Sequence, residues 1–246
     1  MPSEIRSFKS RFNFLKGTIF HPQWIAHRIE NDVFSAIGRQ ANGLILDIGC
    51  ADQRIRSRLN DGTIYIGLDY YVTAKNWYGT LPTIFGDAHC LPFATESTDS
   101  IFLLDVLEHL EQPTVCIHEI SRCLKPGGRL FLKVPFLYPL HDVPRDFGRW
   151  TEYGIAEISK RHNFRVVDAA VFGHPVETAA MLMNVSLSKT TLNWLASRNP
   201  LAIAGLLLPA AVVLLNIFGW LVAKLSRPDR LMPHSYVFVL EKQAAL

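Results

Sequence analysis

Leu44-Ile45-Leu46-Asp47-Ile48-Gly49-Cys50-Ala51-Asp52-Gln53 decides how the rest of this chain reads. Apolar residues suited to a buried strand run into an acid, then into a glycine and a small residue where the backbone must turn and admit a ligand. In an open α/β sheet such turns lie at the carboxyl ends of the strands, where cofactors bind in the crevice between diverging connections.

Asn42-Gly43 is a turn signal just before this stretch, and 55–59 reads as a short arginine-rich helix after it, broken by Asp61-Gly62. A second strand, 63–69, ends in Asp69, about twenty residues after the first turn, where a dinucleotide-type fold puts its ribose-binding carboxylate. A short third strand in 84–88 ends at Asp87, and a fourth at 100–104 closes on Asp105. Pro113 is placed to open a helix whose apolar face is Val115, Ile117, Ile120 and Leu124, and Lys125-Pro126-Gly127-Gly128 ends it. Strands follow at 129–134, 164–172 and 235–241, with a helix at 152–161 and the last strand written as alternating Tyr236, Phe238 and Leu240. Strands alternating with helices predict an α/β fold: a Rossmann-like, doubly wound, mostly parallel seven-stranded sheet with an apolar helical insertion before the last strand.

At 246 residues the chain suits one such domain with an appendage. The expected division is a helical and basic cover at 1–40, the α/β core at 41–175, the insertion at 176–233, and the last strand and tail at 234–246. Net charge is only +3, so nucleic acid is not an expected partner. Cys50, Cys90, Cys116 and Cys123 form no CxxC pair, which favours reduced thiols in a reducing cytoplasm over disulfides or zinc. Residues 1–17 interleave basic and aromatic side chains without the apolar run of a signal peptide. Trp24, Ile25, Ile29, Val33, Phe34 and Ile37 then mark a helical face, read either as a cover for the sheet edge or as a segment on an anionic membrane.

Several chemistries fail on inspection. The chain has no GxSxG elbow, no GxxxxGK[ST] loop, and no HExxH or HxH spacing among its nine histidines, so no metal is expected. A nicotinamide dehydrogenase would need GxGxxG, where this turn offers only Gly49. The motifs in order do resemble another family, the class I S-adenosylmethionine-dependent methyltransferases of the small-molecule, type 11-like branch. Leu46-Asp47-Ile48-Gly49-Cys50-Ala51, Gly67-Leu68-Asp69 and the stretch from Gly86-Asp87-Ala88 to Leu91-Pro92-Phe93 look like its first three motifs. Asp105-Val106-Leu107-Glu108-His109-Leu110 and Leu124-Lys125-Pro126-Gly127-Gly128-Arg129-Leu130 look like the fourth and fifth. The resemblance covers about 40–173 well, and 234–242 by position.

The resemblance implies S-adenosylmethionine as cofactor and a role for each matched residue. Asp47, Gly49 and Ala51 would form the turn under its methionine part, and Asp69 would accept from the ribose hydroxyls. Asp87 would accept from the adenine amine while Ala88 offers its backbone N–H, with Tyr70 or Leu91 on the ring face. Asp105 would face the methyl sulfonium. The sequence departs from the family where glycines are usual: Ala51 is a mild change, whereas Gln53 loses freedom at positive φ.

Methyl transfer from a sulfonium is an in-line displacement, so the protein must align the acceptor and can take its proton. His109 and His141 are the candidate bases. His141 lies in the long loop after the fifth strand, 136–151, where Arg145 and Arg149 could fork onto a phosphate or carboxylate and Trp150 could line the acceptor. That loop resembles one in methyltransferases associated with bacterial envelope glycans; the bland alternative is an Arg–Asp pair closing a surface loop.

The insertion contains LAIAGLLLPAAVVLLNIFGWLVA at 201–223, long and apolar enough for a membrane helix. A single crossing would separate the last two strands on opposite sides of the bilayer. A hairpin is therefore expected, with 181–194 as its other arm and Pro209 permitting a kink. The reading is a monotopic or peripheral protein at the cytoplasmic face of a membrane, presenting its site to a small-molecule or lipid-linked acceptor; a homodimer interface at 201–223 and a true span with an unpaired last strand are the alternatives. A non-catalytic membrane-associated protein that has kept the fold is the rival for the chain as a whole.

Overall fold

The computed structural model describes residues 13–244, so most of the basic and aromatic stretch 1–17 lies outside the described residues. The sheet has seven strands in the order β3-β2-β1-β4-β5-β7-β6: β1 Leu44–Ile48, β2 Ile64–Asp69, β3 Ile84–Phe85, β4 Thr98–Leu104, β5 Leu124–Pro135, β6 Phe164–Phe172 and β7 Ser235–Lys242. The pairs β1–β2, β2–β3, β1–β4 and β4–β5 are all parallel. β1 is central because it is apolar on both faces: Ile45, Leu46 and Ile48 are buried with Phe102 and Phe131, whose rings stack at 4.8 Å.

The helices are α1 Trp24–His27, α2 Glu30–Gly38, α3 Pro113–Cys123, α4 Glu152–Arg161, α5 Pro175–Ala196 and α6 Leu208–Leu225. Local chemistry sets their starts. Pro113 and Pro175 sit in the first turns of α3 and α5, the Thr151 hydroxyl accepts from the Gly154 N–H, and His174 with Glu177 forms a reciprocal cap.

The structure departs from the sequence reading in several places. The expected helix at 55–59 is only a 3-10 turn, Arg56–Arg58: Ile55 is the one fully buried side chain of the stretch, too narrow an apolar face to hold a longer helix. The helix expected near 24–37 is broken into α1 and α2. Lys125-Pro126-Gly127-Gly128 lies inside β5, where a register shift between Thr98 and Ser100 absorbs it. In β7, Val237 and Val239 are buried along with Tyr236, Phe238 and Leu240, because the strand runs between β5 and β6 and is covered on both faces.

The described residues divide into two compact units. One holds 32–136, 147–170 and 236–244, and so contains the parallel strands. The other holds 13–31, 137–146 and 171–235, which includes α1, α5 and α6. Within this second unit α5 and α6 pack on each other, and Pro209 sits in the first turn of α6 after a 3-10 stretch, Pro200–Leu207, so it starts a helix rather than kinking one.

Candidate cofactor site

Parallel register brings the strand-end acids to one edge. Asp47 pairs with Gly67, Ile48 with Leu68 and with Leu103, and Asp69 with Phe85, so the carboxyl ends of β3, β2, β1 and β4 are aligned. Asp87, Asp69, the turn 49–53 and Asp105 therefore follow one another along that edge in spatial order. All of them belong to the unit that holds the parallel strands.

The turn is held from beneath. Gly49 has φ +69°, and a Cβ there would stand 2.4 Å from Val106 Cγ2, so only glycine fits. The Gly49 N–H donates to Leu68 O at 2.8 Å, and the Ala51 N–H donates to Asp69 Oδ2 at 2.9 Å. Ala51 and Gln53, standing where the resemblance expects glycine, both adopt the left-handed region, with φ 44° and 56°. Gln53 is held there by its own side chain, whose Nε2 donates to Leu81 O at 2.9 Å.

Asp47 is buried and accepts from the Tyr65 hydroxyl at 2.7 Å. Burial pushes its pKa up to about 7, against the opposing pull of that hydroxyl. Its place is thus under the turn as a support. Burial likewise raises the pKa of Asp69, opposed by the Ala51 N–H and the Thr73 hydroxyl, which donates to Oδ1 at 3.0 Å. Burial acts to raise Asp87 as well, but the backbone N–H and ring of His89 outweigh it and hold this carboxyl below the usual range. Asp105, with φ 55°, forms an ion pair with Lys133 of β5.

Tyr70 is 45% exposed beside Asp69, whereas Leu91 is packed inside with its N–H donating to Glu119 Oε2, leaving Tyr70 as the ring-face candidate of the two. Ala88 is buried. His109 lies next to the buried Glu108, with Nε2 3.7 Å from its Oε1. Arg149 Nη1 donates to Gly148 O at 2.8 Å, and Trp150 Nε1 is buried with no hydrogen-bond partner among the described residues. His141 and Arg145 belong to the other unit. There the His141 N–H donates to Asp146 Oδ2 at 2.9 Å and its Nδ1 stands 3.3 Å from the same oxygen, while the Arg145 N–H donates to Asp142 O.

The sequence reading missed Tyr65, Thr73 and Lys133. Thr73, four residues after Asp69, was the one with a local signal; Tyr65 and Lys133 act across strands, where only register reveals them.

Residues 46–132 match the family model described as a methyltransferase domain. Residues 46–132 of the chain thus carry a methyltransferase domain. The chain is 34% identical over 97 residues to a ubiquinone biosynthesis O-methyltransferase of Xanthomonas oryzae pv. oryzae, a match covering 38% of this chain and 36% of that protein. It is 23% identical over 181 residues to a ubiquinone/menaquinone biosynthesis C-methyltransferase of Legionella pneumophila, covering 70% and 71% of the two chains. Among solved structures, a SAM-dependent methyltransferase from Archaeoglobus fulgidus superposes with a TM-score of 0.56 at 15% identity, covering 96% of this chain and 98% of that one. The chain thus spans little more than a third of the length of the O-methyltransferase it matches.

S-adenosylmethionine is the cofactor of this family, and the residues at the sheet edge fit it. Its ribose hydroxyls and adenine amine are donors, and the Asp69 and Asp87 carboxylates are acceptors in the corresponding order along the edge. Asp69 accepts from the Ala51 and Tyr70 N–H groups and the Thr73 hydroxyl, and a carboxylate, with about four acceptor sites, keeps capacity for a ribose hydroxyl.

Proposed function

We propose that this chain is an S-adenosylmethionine-dependent methyltransferase acting on a small-molecule or lipid-linked acceptor at the cytoplasmic face of a membrane. The observation that carries the reading is the order of Asp87, Asp69, the Gly49 turn and Asp105 along one carboxyl edge of the sheet. The bound cofactor supplies a methyl group activated on a sulfonium. Asp69 holds the ribose, Asp87 and Ala88 the adenine edge, Tyr70 its face, and the turn 49–51 the methionine part, with Asp47 beneath it. Asp105 faces the sulfonium end.

The acceptor needs orientation and the loss of a proton. His109 is the proposed base in the unit that carries the cofactor residues, and Arg149 and Trp150 are proposed for acceptor binding in that unit. His141 and Arg145 keep these same roles, base and anion clamp, from the sequence. The Asp146 carboxylate beside the His141 ring would orient the imidazole. The quinone-pathway relatives act on small molecules by their names, which supports a small-molecule acceptor here.

One observation favours a second reading, a non-catalytic membrane-associated protein with this fold: Gln53 keeps a strained φ of 56° and ties its side chain to Leu81 rather than leaving the turn open. Calorimetric titration with S-adenosylhomocysteine separates the two. Micromolar binding that Asp69→Ala weakens by about 10-fold or more supports the enzyme, and absence of binding supports the second reading. For the chemistry, lipid and metabolite profiles of cells lacking the gene should show an acceptor lighter by one methylene, and His109→Ala and His141→Ala should each slow turnover on it. Unchanged turnover in either variant removes that histidine from the mechanism.

A further inference from the structure

The helical hairpin α5–α6 has the polarity of its faces reversed. In a water-soluble hairpin the seam between the helices is apolar and the outer faces are polar. Here the fully buried residues of α5 and α6 include Thr178, Asn184, Ser188 and Asn216. Asn184 Nδ2 donates to Asn216 Oδ1 at 3.0 Å, and Asn216 Nδ2 donates in turn to Ile19 O at 2.7 Å and His21 O at 3.1 Å. The helices meet closely at small residues: a Cβ on Gly219 would stand 3.1 Å from Ala180 Cβ. Polar contacts and small residues at the seam are what hold helices together when the surroundings are apolar.

The outer surface completes the reversal. Leu206 is 80% exposed, Leu207 71%, Leu214 67% and Phe218 57%. Pro200–Leu225 is the segment of the described residues long and apolar enough to cross a membrane, and 11% of its most apolar window is buried. Cations bracket it. From 178 to 228 the chain has no acid and carries Lys189, Arg198, Lys224 and Arg227. Trp194 precedes Arg198 at one end, and at the other the Lys224 ammonium lies 5.3 Å from the centre of the Trp220 ring. Tryptophan with lysine or arginine at both limits of an apolar stretch is the arrangement suited to the headgroup level of a bilayer.

We propose that 200–225 lies in one leaflet of an anionic phospholipid bilayer, with Leu206, Leu207, Leu214 and Phe218 among the acyl chains and Arg198, Lys224 and Arg227 on the headgroup phosphates. Because β6 and β7 are neighbours in one sheet, the chain enters and leaves this segment on the same side of the membrane. The acid-free charge pattern selects a lipid surface over a second copy of the chain, which would bring those cations against their own kind.

This inference rests on the membrane-surface part of the reading above and not on its chemistry. The test is sedimentation of the full-length protein with vesicles of phosphatidylcholine alone or with about one-third phosphatidylglycerol. Binding to the anionic vesicles should be at least about tenfold tighter at low salt and should weaken as salt rises. A triple variant, Leu206→Ser, Leu214→Ser and Phe218→Ser, should lose binding to both. Lys224→Glu with Arg227→Glu should lose only the preference for the anionic lipid. S-adenosylhomocysteine binding, measured on the same samples, should persist in every variant, which shows that they fold and keeps failure of the cofactor reading separate. No sedimentation with either vesicle, a soluble dimer that the triple variant dissociates, or vesicle binding that the triple variant retains would each overturn the proposal.

Discussion

The Ala51 N–H donates to Asp69 Oδ2 at 2.9 Å, so the turn after β1 is tied to the carboxylate that ends β2. Asp69 thus serves both as an acceptor for the ribose and as a strut for the turn under the methionine part. Asp69→Ala removes both, and S-adenosylhomocysteine affinity should fall by about 10–100-fold. Thr73→Ala, which removes the donor to Oδ1 alone, should cost less. Equal losses in the two variants, read by calorimetry, would show that Asp69 acts only by holding the turn.

Ala51 stands at φ 44° beside Gly49. Ala51→Gly should relieve the left-handed strain and stabilise the protein by about 1 kcal/mol, raising Tm by about 2–4 °C. Gln53→Gly should gain less, since it also loses the bond from Nε2 to Leu81 O. Scanning calorimetry of the two variants checks the ranking.

Asp47 carries a pKa raised by burial from 3.8 to about 7, and Asp69 is shifted in the same direction. A carboxyl group that holds its proton more tightly folded than unfolded lends stability that is complete below about pH 3.8 and is lost as pH rises through about 7. Asp47→Asn keeps an acceptor for the Tyr65 hydroxyl and cannot ionise. Wild type should therefore lose stability relative to this variant between pH 4 and pH 7, with no further loss above about pH 8. Urea midpoints measured across that range give the comparison, and a constant difference would mean that Asp47 does not take up its proton on folding.

Lys133 pairs with Asp105 and so neutralises the carboxylate proposed to face the sulfonium. Lys133→Met should leave Asp105 unpaired and favour the positively charged S-adenosylmethionine over neutral S-adenosylhomocysteine by about threefold. An unchanged ratio of the two dissociation constants would place the charged centre away from Asp105.

The sequence by itself determined the elements whose signals are local. The run from Leu44 is apolar enough to read as a buried strand, Asp69 and Asp105 end apolar runs, and Pro113 marks a helix start by its own backbone chemistry. That was enough for the fold, the family and the order of the acids. Tertiary structure decided what depends on partners distant in the chain. The pairing of Lys133 with Asp105 follows from the register of β4 and β5, the burial of both faces of β7 follows from its interior place in a sheet covered on both sides, and the helix expected at 55–59 fails because its apolar face is a single buried residue, Ile55. The hairpin shows the division most plainly: the apolar length of 201–223 is legible residue by residue, but that Asn184 meets Asn216 across 32 positions and turns the leucines outward is a fact of packing. A side chain's type sets what it can bury or bond, whereas its partner is fixed only when the chain has folded back on itself.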